Sequence, residues 1–280
     1  MDLKNINLRD PYILPHNGRY YMYGTRGFGS DGFDVYVSED LENWSEPSPV
    51  FEYYDGFWAD RDFWAPEVYK CGDKFVMFAS FKSDKRPRGT QVLIADSPEG
   101  PFKEYSRGAV TPVEWECLDG TLYIDNGEPY MIFCHEWLQI ENGTVCSIKL
   151  SDDLKEAVSE PRILWRAKDA DCFKNANGEE GYITDGPFVI KVDNELLCFW
   201  STICGGKYME LISRSDNGRM DGKWSIDKKA LIDNDGGHGM VFKTFTNEYK
   251  FIYHSPNTPT KERPCMIDIE LFDLKENCNK

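Results

Sequence analysis

Three aspartates of this sequence have the residue type and the setting that acid–base chemistry requires. Each begins a short apolar segment and is followed at once by proline or glycine, namely Asp10, Asp119 and Asp185. Two carboxyl groups can promote hydrolysis when one protonates the leaving oxygen and the other, ionised, activates a water. A single aspartate before proline or glycine is commonly a turn residue. The chemical hypothesis therefore depends on whether the fold brings the three side chains together.

Asp10 lies at the start of a predicted β-hairpin that recurs along the chain. Residues 9–25 consist of an apolar strand, an Asn17-Gly18 turn and an aromatic second strand, and Asn-Gly between two such runs strongly predicts a hairpin. Second strands of this kind return four more times. The five hairpins are opened by Asp10, Ala65, Asp119, Asp185 and His238. Intervals of 55, 54, 66 and 53 residues between these openers are typical of β-propeller blades.

The repeats extend over nearly all of the 280 residues. We therefore predict an all-β fold, a five-bladed β-propeller, with a single catalytic domain over residues 1–280. Residues 1–8 are the candidate for the outer strand of the fifth blade. Because the strands of a blade are antiparallel, the start of each first strand and the end of each second strand lie on the same face. This topology predicts that Asp10, Asp119 and Asp185 converge near the axis of the ring.

The net charge of the chain is −16. Phosphate contacts need clustered lysine and arginine, so this charge argues against binding to nucleic acid or to an anionic membrane surface. It also disfavours a polyanionic substrate and favours a neutral ligand. No apolar segment follows the first residues, and no run has the length of a membrane span. We therefore expect a cytoplasmic protein, or a secreted one whose signal peptide has been removed.

Four motifs, in this order and spacing, resemble glycoside hydrolase family 43. They are Arg9-Asp10-Pro11, Trp64-Ala65-Pro66-Glu67, Leu118-Asp119-Gly120 and Thr184-Asp185-Gly186-Pro187. The resemblance implies a five-bladed propeller enzyme that acts on glycans containing arabinose or xylose and inverts the anomeric configuration. Inversion needs a carboxylic acid and a carboxylate about 6.5–9.5 Å apart, so that a water fits on the opposite face of the sugar.

The resemblance also implies roles for the three aspartates. Asp10 takes the position of the general base, and Asp119 takes that of a third carboxylate, which orients the acid and raises its pKa by like-charge proximity. Asp185 falls where the family usually has the glutamate that acts as general acid. Aspartate is shorter by one C–C bond, roughly 1.5 Å. Glu136 is therefore kept as the reserve candidate for the proton donor.

Seven residues near these motifs, or at the ends of second strands, are candidates for substrate binding. They are Trp64, Glu67, Phe81, His135, Glu136, Trp137 and His238. The aromatic rings can stack on a sugar or belong to the core, and Glu67 can contact substrate or satisfy a loop amide. His238 resembles the blade-five histidine of the family, which lies beside a central cavity. It fits a hydrogen-bonded axial histidine or a position near a structural Ca²⁺, although no cofactor is expected to be required.

The resemblance to family 43 implies an inverting, exo-acting glycoside hydrolase of the α-L-arabinofuranosidase type, whose partner is an oligosaccharide or glycan. A β-xylosidase or a β-galactofuranosidase would need only a reshaped pocket. The aspartate in place of glutamate also leaves open a non-catalytic sugar-binding propeller, in which the carboxylates only bind hydroxyls. A phosphorylase on a similar propeller would require clustered arginine or lysine at the pocket, which the sequence does not indicate.

Overall fold

The five predicted hairpins open five antiparallel sheets, which confirms the five-bladed β-propeller. The structure is a computed structural model and describes residues 1–27, 29–175, 181–271 and 273–276. Within each sheet the strands are neighbours in chain order, so every blade is a simple meander.

The first three blades have four strands each. Blade one consists of β1 (Arg9–His16), β2 (Arg19–Thr25), β3 (Gly32–Ser38) and β4 (Ser48–Glu52). Blade two consists of β5 (Arg61–Cys71), β6 (Lys74–Ser83), β7 (Arg86–Ala95) and β8 (Lys103–Ala109). Blade three consists of β9 (Cys117–Asp125), β10 (Glu128–His135), β11 (Thr144–Lys149) and β12 (Arg162–Arg166).

Blade four also has four strands, and blade five has three in the described part of the chain. Blade four consists of β13 (Asp185–Val192), β14 (Glu195–Cys204), β15 (Lys207–Ser215) and β16 (Trp224–Ile226). Blade five consists of β17 (Gly237–Lys243), β18 (Tyr249–Ser255) and β19 (Arg263–Asp268). The α-helices are α1 (Trp137–Ile140) and α2 (Asp273–Glu276), and short 3-10 helices span Leu3–Asn5, Ala167–Asp169 and Asp171–Asn175. Among the described residues, no helix has both the length and the apolar character needed to cross a membrane.

The prediction that residues 1–8 supply the outer strand of blade five is wrong. Leu3–Asn5 form a 3-10 helix that packs beside β19. Arg263 Nε donates a hydrogen bond to the carbonyl oxygen of Lys4 at 3.0 Å, so the segment is attached by a side chain and not by a strand ladder. The ring is closed by contacts of β1 with β17 and β18.

Every blade has the same irregularity where its first strand begins. Two residues of the first strand lie opposite one residue of the second, which is a β-bulge. The second residue of each bulge is proline or glycine. The first residue of each bulge has a φ between 46° and 57°. In chain order these residues are Asp10, Ala65, Asp119, Gly186 and His238. Because a bulge re-aims the side chains around it, the repeat brings polar side chains of several blades toward the centre of the ring.

Blade four differs from the predicted register by one residue. Gly186, and not Asp185, occupies the bulge position that is equivalent to Asp10. Asp185 is the residue before the bulge, and it pairs with Ser201 on the second strand. A Cβ atom at Gly186 would lie 2.6 Å from two ring atoms of His238, so this position requires glycine both for its φ of 51° and for space.

Hydrogen bonds at the bulges also link neighbouring blades. At four junctions a bulge amide donates to a side chain on the second strand of the preceding blade. These bonds are Ala65 N–H to Thr25 Oγ1 (2.8 Å), Asp119 N–H to Ser80 Oγ (2.9 Å), His238 N–H to Ser201 Oγ (2.7 Å) and Asp10 N–H to His254 Nδ1 (3.2 Å). At the fifth junction, Gly186 N–H donates to Asp119 Oδ2 at 2.9 Å. The buried amides are thereby satisfied, and the backbone around the centre is fixed.

The core between blades one and two is a cluster of aromatic rings. Phe81 is fully buried in it, with its ring centroid 5.1 Å from those of Phe57 and Phe63. Burial of such a side chain contributes roughly 1.5–3 kcal/mol. The predicted contact of Phe81 with substrate is therefore corrected, because this ring packs in the core.

Candidate active site

The fold brings the three predicted catalytic aspartates to one cavity at the centre of the ring. The cavity has a volume of about 210 Å³. It is lined by Arg9, Asp10, Thr25, Trp64, Leu118, Asp119, Glu136, Trp137, Ile183, Asp185 and His238. These residues come from all five blades, either from their strands or from the segments that connect the strands.

Asp10 is a buried carboxylate surrounded by donors and positive charge. Thr25 Oγ1 donates to Oδ2 at 2.5 Å, and His238 Nδ1 lies 3.1 Å from Oδ1. Arg9 adds a second positive charge, with Nε 3.9 Å from Oδ1. Burial by itself raises the pKa of Asp10, but the charges of His238 and Arg9 outweigh it and hold this pKa well below its ordinary value. Asp10 is therefore ionised and able to accept a proton.

Two buried histidines beside Asp10 have opposite protonation states. Burial lowers the pKa of both, but the charges of Asp10 and Asp119 raise the pKa of His238 to about 10. For His254 burial dominates and lowers the pKa to about 3. Nδ1 of His254 accepts the N–H of Asp10, and Nε2 lies 3.4 Å from Asn257 Oδ1, which fits a neutral ring with its proton on Nε2. Cationic His238 compensates the charge of the base, while neutral His254 holds its backbone.

Asp185 and Asp119 form a pair of neighbouring carboxyl groups. Burial, and then the negative charge of Asp119, raise the pKa of Asp185 to about 7. Burial also raises the pKa of Asp119, although the charge of His238 opposes this shift. Asp119 Oδ2 lies 3.8 Å from His238 Nδ1 and accepts the N–H of Gly186. Asp185 therefore retains its proton up to about pH 7, whereas Asp10 is ionised.

This arrangement suits hydrolysis of a glycosidic bond. The cavity holds one carboxylate that is ionised and one carboxyl group that is protonated at the same pH, which are the two states that a base and an acid need. The difference arises from the surroundings, since cations adjoin Asp10 and an anion adjoins Asp185.

One wall of the cavity is organised by Arg88, which lies behind it and is 5% exposed. The guanidinium is stacked on Trp64, with Cζ 4.2 Å from the ring centroid. Arg88 Nη1 donates to Glu136 Oε2, and Nη2 donates to Asp62 Oδ2 at 2.8 Å. Burial raises the pKa of Glu136, while the charge of Arg88 opposes this shift. Because Glu136 Oε2 already accepts a hydrogen bond from Arg88, its carboxyl group is better placed to accept a bond from a sugar hydroxyl than to replace Asp185 as acid.

Trp137 also lines the cavity, and its ring lies against the backbone of Gly181. A Cβ atom at Gly181 would be 2.6 Å from the Trp137 ring, so the absence of a side chain there allows this contact. Trp64 and Trp137 therefore offer two aromatic surfaces in one cavity. Aromatic faces of this kind are suited to the apolar face of a sugar ring.

Two other predicted binding residues lie outside the cavity lining. Glu67 is buried beneath it, where it accepts a hydrogen bond from the hydroxyl of Tyr69 and shares a void of about 10 Å³ with His238. Burial raises the pKa of Glu67 to about 7. His135 is stacked on Trp115, with ring centroids 4.2 Å apart. The predicted substrate contacts are therefore corrected: Glu67 supports the floor of the site, and His135 packs beside it.

Four residues of the cavity lining were not among the site residues predicted from the sequence. They are Arg9, Thr25, Leu118 and Ile183. Arg9 and Leu118 each precede a catalytic candidate in its motif, and Thr25 ends the second strand of blade one, so their positions carried a signal. Ile183 lies in a segment without a repeat signal.

A structural Ca²⁺ near His238 stays a prediction. Ca²⁺ takes six to eight oxygen ligands. Among the described residues, no group of three or more His, Cys, Asp or Glu side chains is arranged to hold a metal ion. The two carboxylates nearest His238 are those that its ring pairs with, Asp10 and Asp119.

Comparisons with solved structures agree with the fold. The structure of an endo-arabinase from Bacteroides thetaiotaomicron is similar with a TM-score of 0.89 and 35% identity, covering 96% of each chain. An endo-1,4-beta-xylanase from the same organism has a TM-score of 0.80 and 24% identity, covering 95% of this chain and 91% of that one. The second likeness supports the fold alone.

Sequence comparisons point to the same group of proteins. An extracellular endo-alpha-(1->5)-L-arabinanase 2 of Bacillus subtilis is 28% identical over an alignment of 142 residues that covers 47% of this chain. The match spans only 30% of that relative's length. The family model described as glycosyl hydrolases family 43 matches residues 3–270. Because the family model covers nearly the whole chain, and a relative is 35% identical over 96% of each chain, the chain belongs to family 43 of the glycosyl hydrolases.

Proposed function

We propose that this family 43 protein hydrolyses α-L-arabinofuranosyl linkages of neutral glycans with inversion of configuration, releasing arabinose from chain ends. The observation that carries the proposal is that Asp10 and Asp185 line one cavity and differ in protonation state near neutral pH. Such a pair supplies the base and the acid for a single displacement by water.

The proposed reaction is one concerted step. Asp10 accepts a proton from a water molecule while the oxygen of that water forms a bond to the anomeric carbon. Asp185 gives its proton to the leaving oxygen as the glycosidic bond breaks. The step ends with Asp10 protonated and Asp185 ionised, and exchange with solvent restores both. Asp119 favours the protonated state of Asp185 before the reaction.

The cavity lining supports a small neutral sugar. Trp64 and Trp137 provide aromatic faces, and Glu136 provides an acceptor for a hydroxyl. The net charge of −16 disfavours anionic glycans. Arabinose is proposed over xylose or galactofuranose because the relative at 35% identity is an endo-arabinase.

The names of two relatives favour a second candidate, internal cleavage of α-1,5-linked arabinan. Chain-end cleavage and internal cleavage can use the same acid and base. They differ in which sugar units of the polymer the protein surrounds. Linear arabinan separates them: chain-end cleavage releases only arabinose, whereas internal cleavage produces a ladder of oligosaccharides before arabinose accumulates.

The test combines a substrate panel with the stereochemistry of the product. We expect turnover of a nitrophenyl α-L-arabinofuranoside that exceeds turnover of the β-xyloside and the β-galactofuranoside. Proton NMR should show the β-anomer of arabinose as the first product. An α-anomer first would contradict inversion. Sugar binding without turnover of any glycoside would favour the non-catalytic propeller, and a requirement for phosphate would favour a phosphorylase. Asp10→Asn prepared in parallel controls for contaminating activity.

A further inference from the structure

Tyr208 is a buried side chain that contacts the acid from behind the cavity. It lies in β15, the third strand of blade four, and is 1% exposed. Its hydroxyl donates a hydrogen bond to Asp185 Oδ2 at 3.1 Å. Tyr208 does not line the cavity, so its effect on substrate is exerted through Asp185.

The ring of Tyr208 also contacts the residue that holds the base. It is stacked on His254, with ring centroids 5.4 Å apart and an interplanar angle of 22°. His254 in turn accepts the backbone N–H of Asp10 at 3.2 Å. Tyr208 therefore contacts both His254, which holds the backbone of the base Asp10, and the acid Asp185.

The position of Tyr208 is fixed on two further sides. Its backbone N–H donates to Asp235 Oδ1 at 3.2 Å. A Cβ atom at Gly237 would lie 2.8 Å from Tyr208 Cε1, so glycine allows the ring to lie against the β17 backbone. A ring packed in this way presents its hydroxyl at one place, which is the condition for orienting another group.

On the basis of the proposed function, we infer that Tyr208 is the positioning residue of the acid. It holds Oδ2 of Asp185 in place, so that the remaining oxygen carries the transferable proton. A short carboxyl side chain at this position gains most from such a contact, because aspartate cannot adjust its reach as glutamate can. Misplacement of a reacting group by about 1 Å is costly to catalysis.

Loss of this contact has a predictable effect on pH dependence. The charged groups that act on Asp185 are Asp119, His238, Asp10 and Arg9. These remain when only the Tyr208 hydroxyl is removed. A hydroxyl that donates to a carboxylate stabilises the ionised form, so its removal raises the pKa of that carboxyl group. The alkaline limb of the rate profile should therefore move to higher pH, while kcat falls because the acid is less well oriented.

The experiment is Tyr208→Phe, which keeps the ring on His254 and removes the hydroxyl. We expect kcat to fall about 10- to 100-fold, with KM nearly unchanged, since the hydrogen bond is to a carboxyl group that becomes charged only as it gives up its proton. The loss should be larger for arabino-oligosaccharides than for nitrophenyl glycosides, whose leaving group needs less protonation. Tyr23→Phe is the matched control, because Tyr23 is a fully buried tyrosine that donates to the Pro98 carbonyl oxygen at 2.6 Å, away from the cavity.

A double-mutant cycle shows whether Tyr208 acts through Asp185. Tyr208→Phe should add little to the kinetic loss of Asp185→Asn. Equal losses in both backgrounds, or a wild-type kcat and alkaline limb in Tyr208→Phe, would overturn the inference. Melting temperatures check folding, and Tyr208→Met, which fills the space flexibly without a donor, replaces Tyr208→Phe if that variant is unstable. A wild-type protein that cleaves no glycoside would instead refute the proposed function, so the two failures are distinct.

Discussion

His238 and Asp10 form a buried ion pair, with Nδ1 of the imidazole 3.1 Å from Oδ1 of the carboxylate. Their side chains are 11% and 8% exposed. His238 also lies 3.8 Å from Asp119, so one cation serves two carboxyl groups in the same enclosure. The pair keeps the proposed base ionised in a place where burial alone would protonate it.

Asp10→Asn should lower kcat by about 10²- to 10⁴-fold, which is the usual contribution of a general base. The fold should persist, because asparagine keeps the shape of the side chain and tolerates the φ of 53° at this position. Kinetics on an arabinofuranoside and a thermal melt check both statements.

Asp10→Ala is the informative comparison for this variant. Alanine removes the same carboxylate but is strained at positive φ, so it should be equally inactive and melt at a lower temperature. Near-wild-type kcat in Asp10→Asn would show that Asp10 is not the base.

The pH profile should report the protonation of Asp185. Because this acid must be protonated, kcat/KM should fall as pH rises through about 7, the value to which burial and Asp119 raise its pKa. On the acid side the rate should persist well below pH 4, since the pKa of Asp10 is depressed. Asp119→Asn removes a negative charge, so it should lower the pKa of Asp185 and move the alkaline limb to lower pH. An alkaline limb that moves to higher pH in Asp119→Asn, or that is still present in Asp185→Asn, would contradict the assignment of Asp185 as the acid.

The central site was predictable where it depends on local strand pairing. The hairpin period placed Asp10, Asp119 and His238 at equivalent strand starts, because a turn and its two strands are encoded within a short segment. The period alone did not show which residue of a neighbouring pair has positive φ, so Asp185 was aligned where Gly186 belongs. Glycine itself was the available signal, since it is the residue that most readily adopts that conformation.

Contacts between elements were not predictable in the same way. Arg88 and Tyr208 both lie on third strands, and they act on side chains that other segments bring to the cavity. The spacing of hairpins does not specify how far a third-strand side chain reaches. Phe81 illustrates the converse, because its position at the end of a second strand suggested the cavity and packing placed it in the core.

Gly186→Ala should impair both stability and catalysis. The new Cβ would meet the His238 ring at 2.6 Å, so the imidazole must move away from Asp10, and alanine is strained at a φ of 51°. We expect a lower melting temperature and a kcat reduced at least tenfold, an order-of-magnitude figure for displacement of a catalytic group.

Gly18→Ala separates the two effects of that substitution. Gly18 has a φ of 76°, and a Cβ there would meet no atom within 4 Å. This control should lose stability through backbone strain and keep its kcat. Equal kinetic losses in both variants would show that the contact with His238 is not what matters.

Arg88→Met tests whether the Trp64 and Glu136 wall binds sugar. Methionine removes the cation that stacks on Trp64 and pairs with Glu136, so both side chains lose their fixed positions. Because these residues line the cavity but are not the proposed acid or base, KM should rise about tenfold or more, with a smaller change in kcat, as for loss of a hydrogen bond to a charged group. Stability should also fall, since a buried pair is broken.

Arg86→Met is the matched control, two residues away on the same strand. Arg86 is stacked over Trp58, with Cζ 5.2 Å from the ring centroid, and donates to the Ala109 carbonyl oxygen at 3.0 Å, but neither ring nor cation lines the cavity. Its substitution should change stability modestly and leave KM as in the wild type. Arg88→Lys should recover part of the affinity, because an ammonium group can still pair with Glu136 but cannot stack as a planar guanidinium does. An unchanged KM in Arg88→Met, measured on folded protein, would place sugar recognition elsewhere in the cavity.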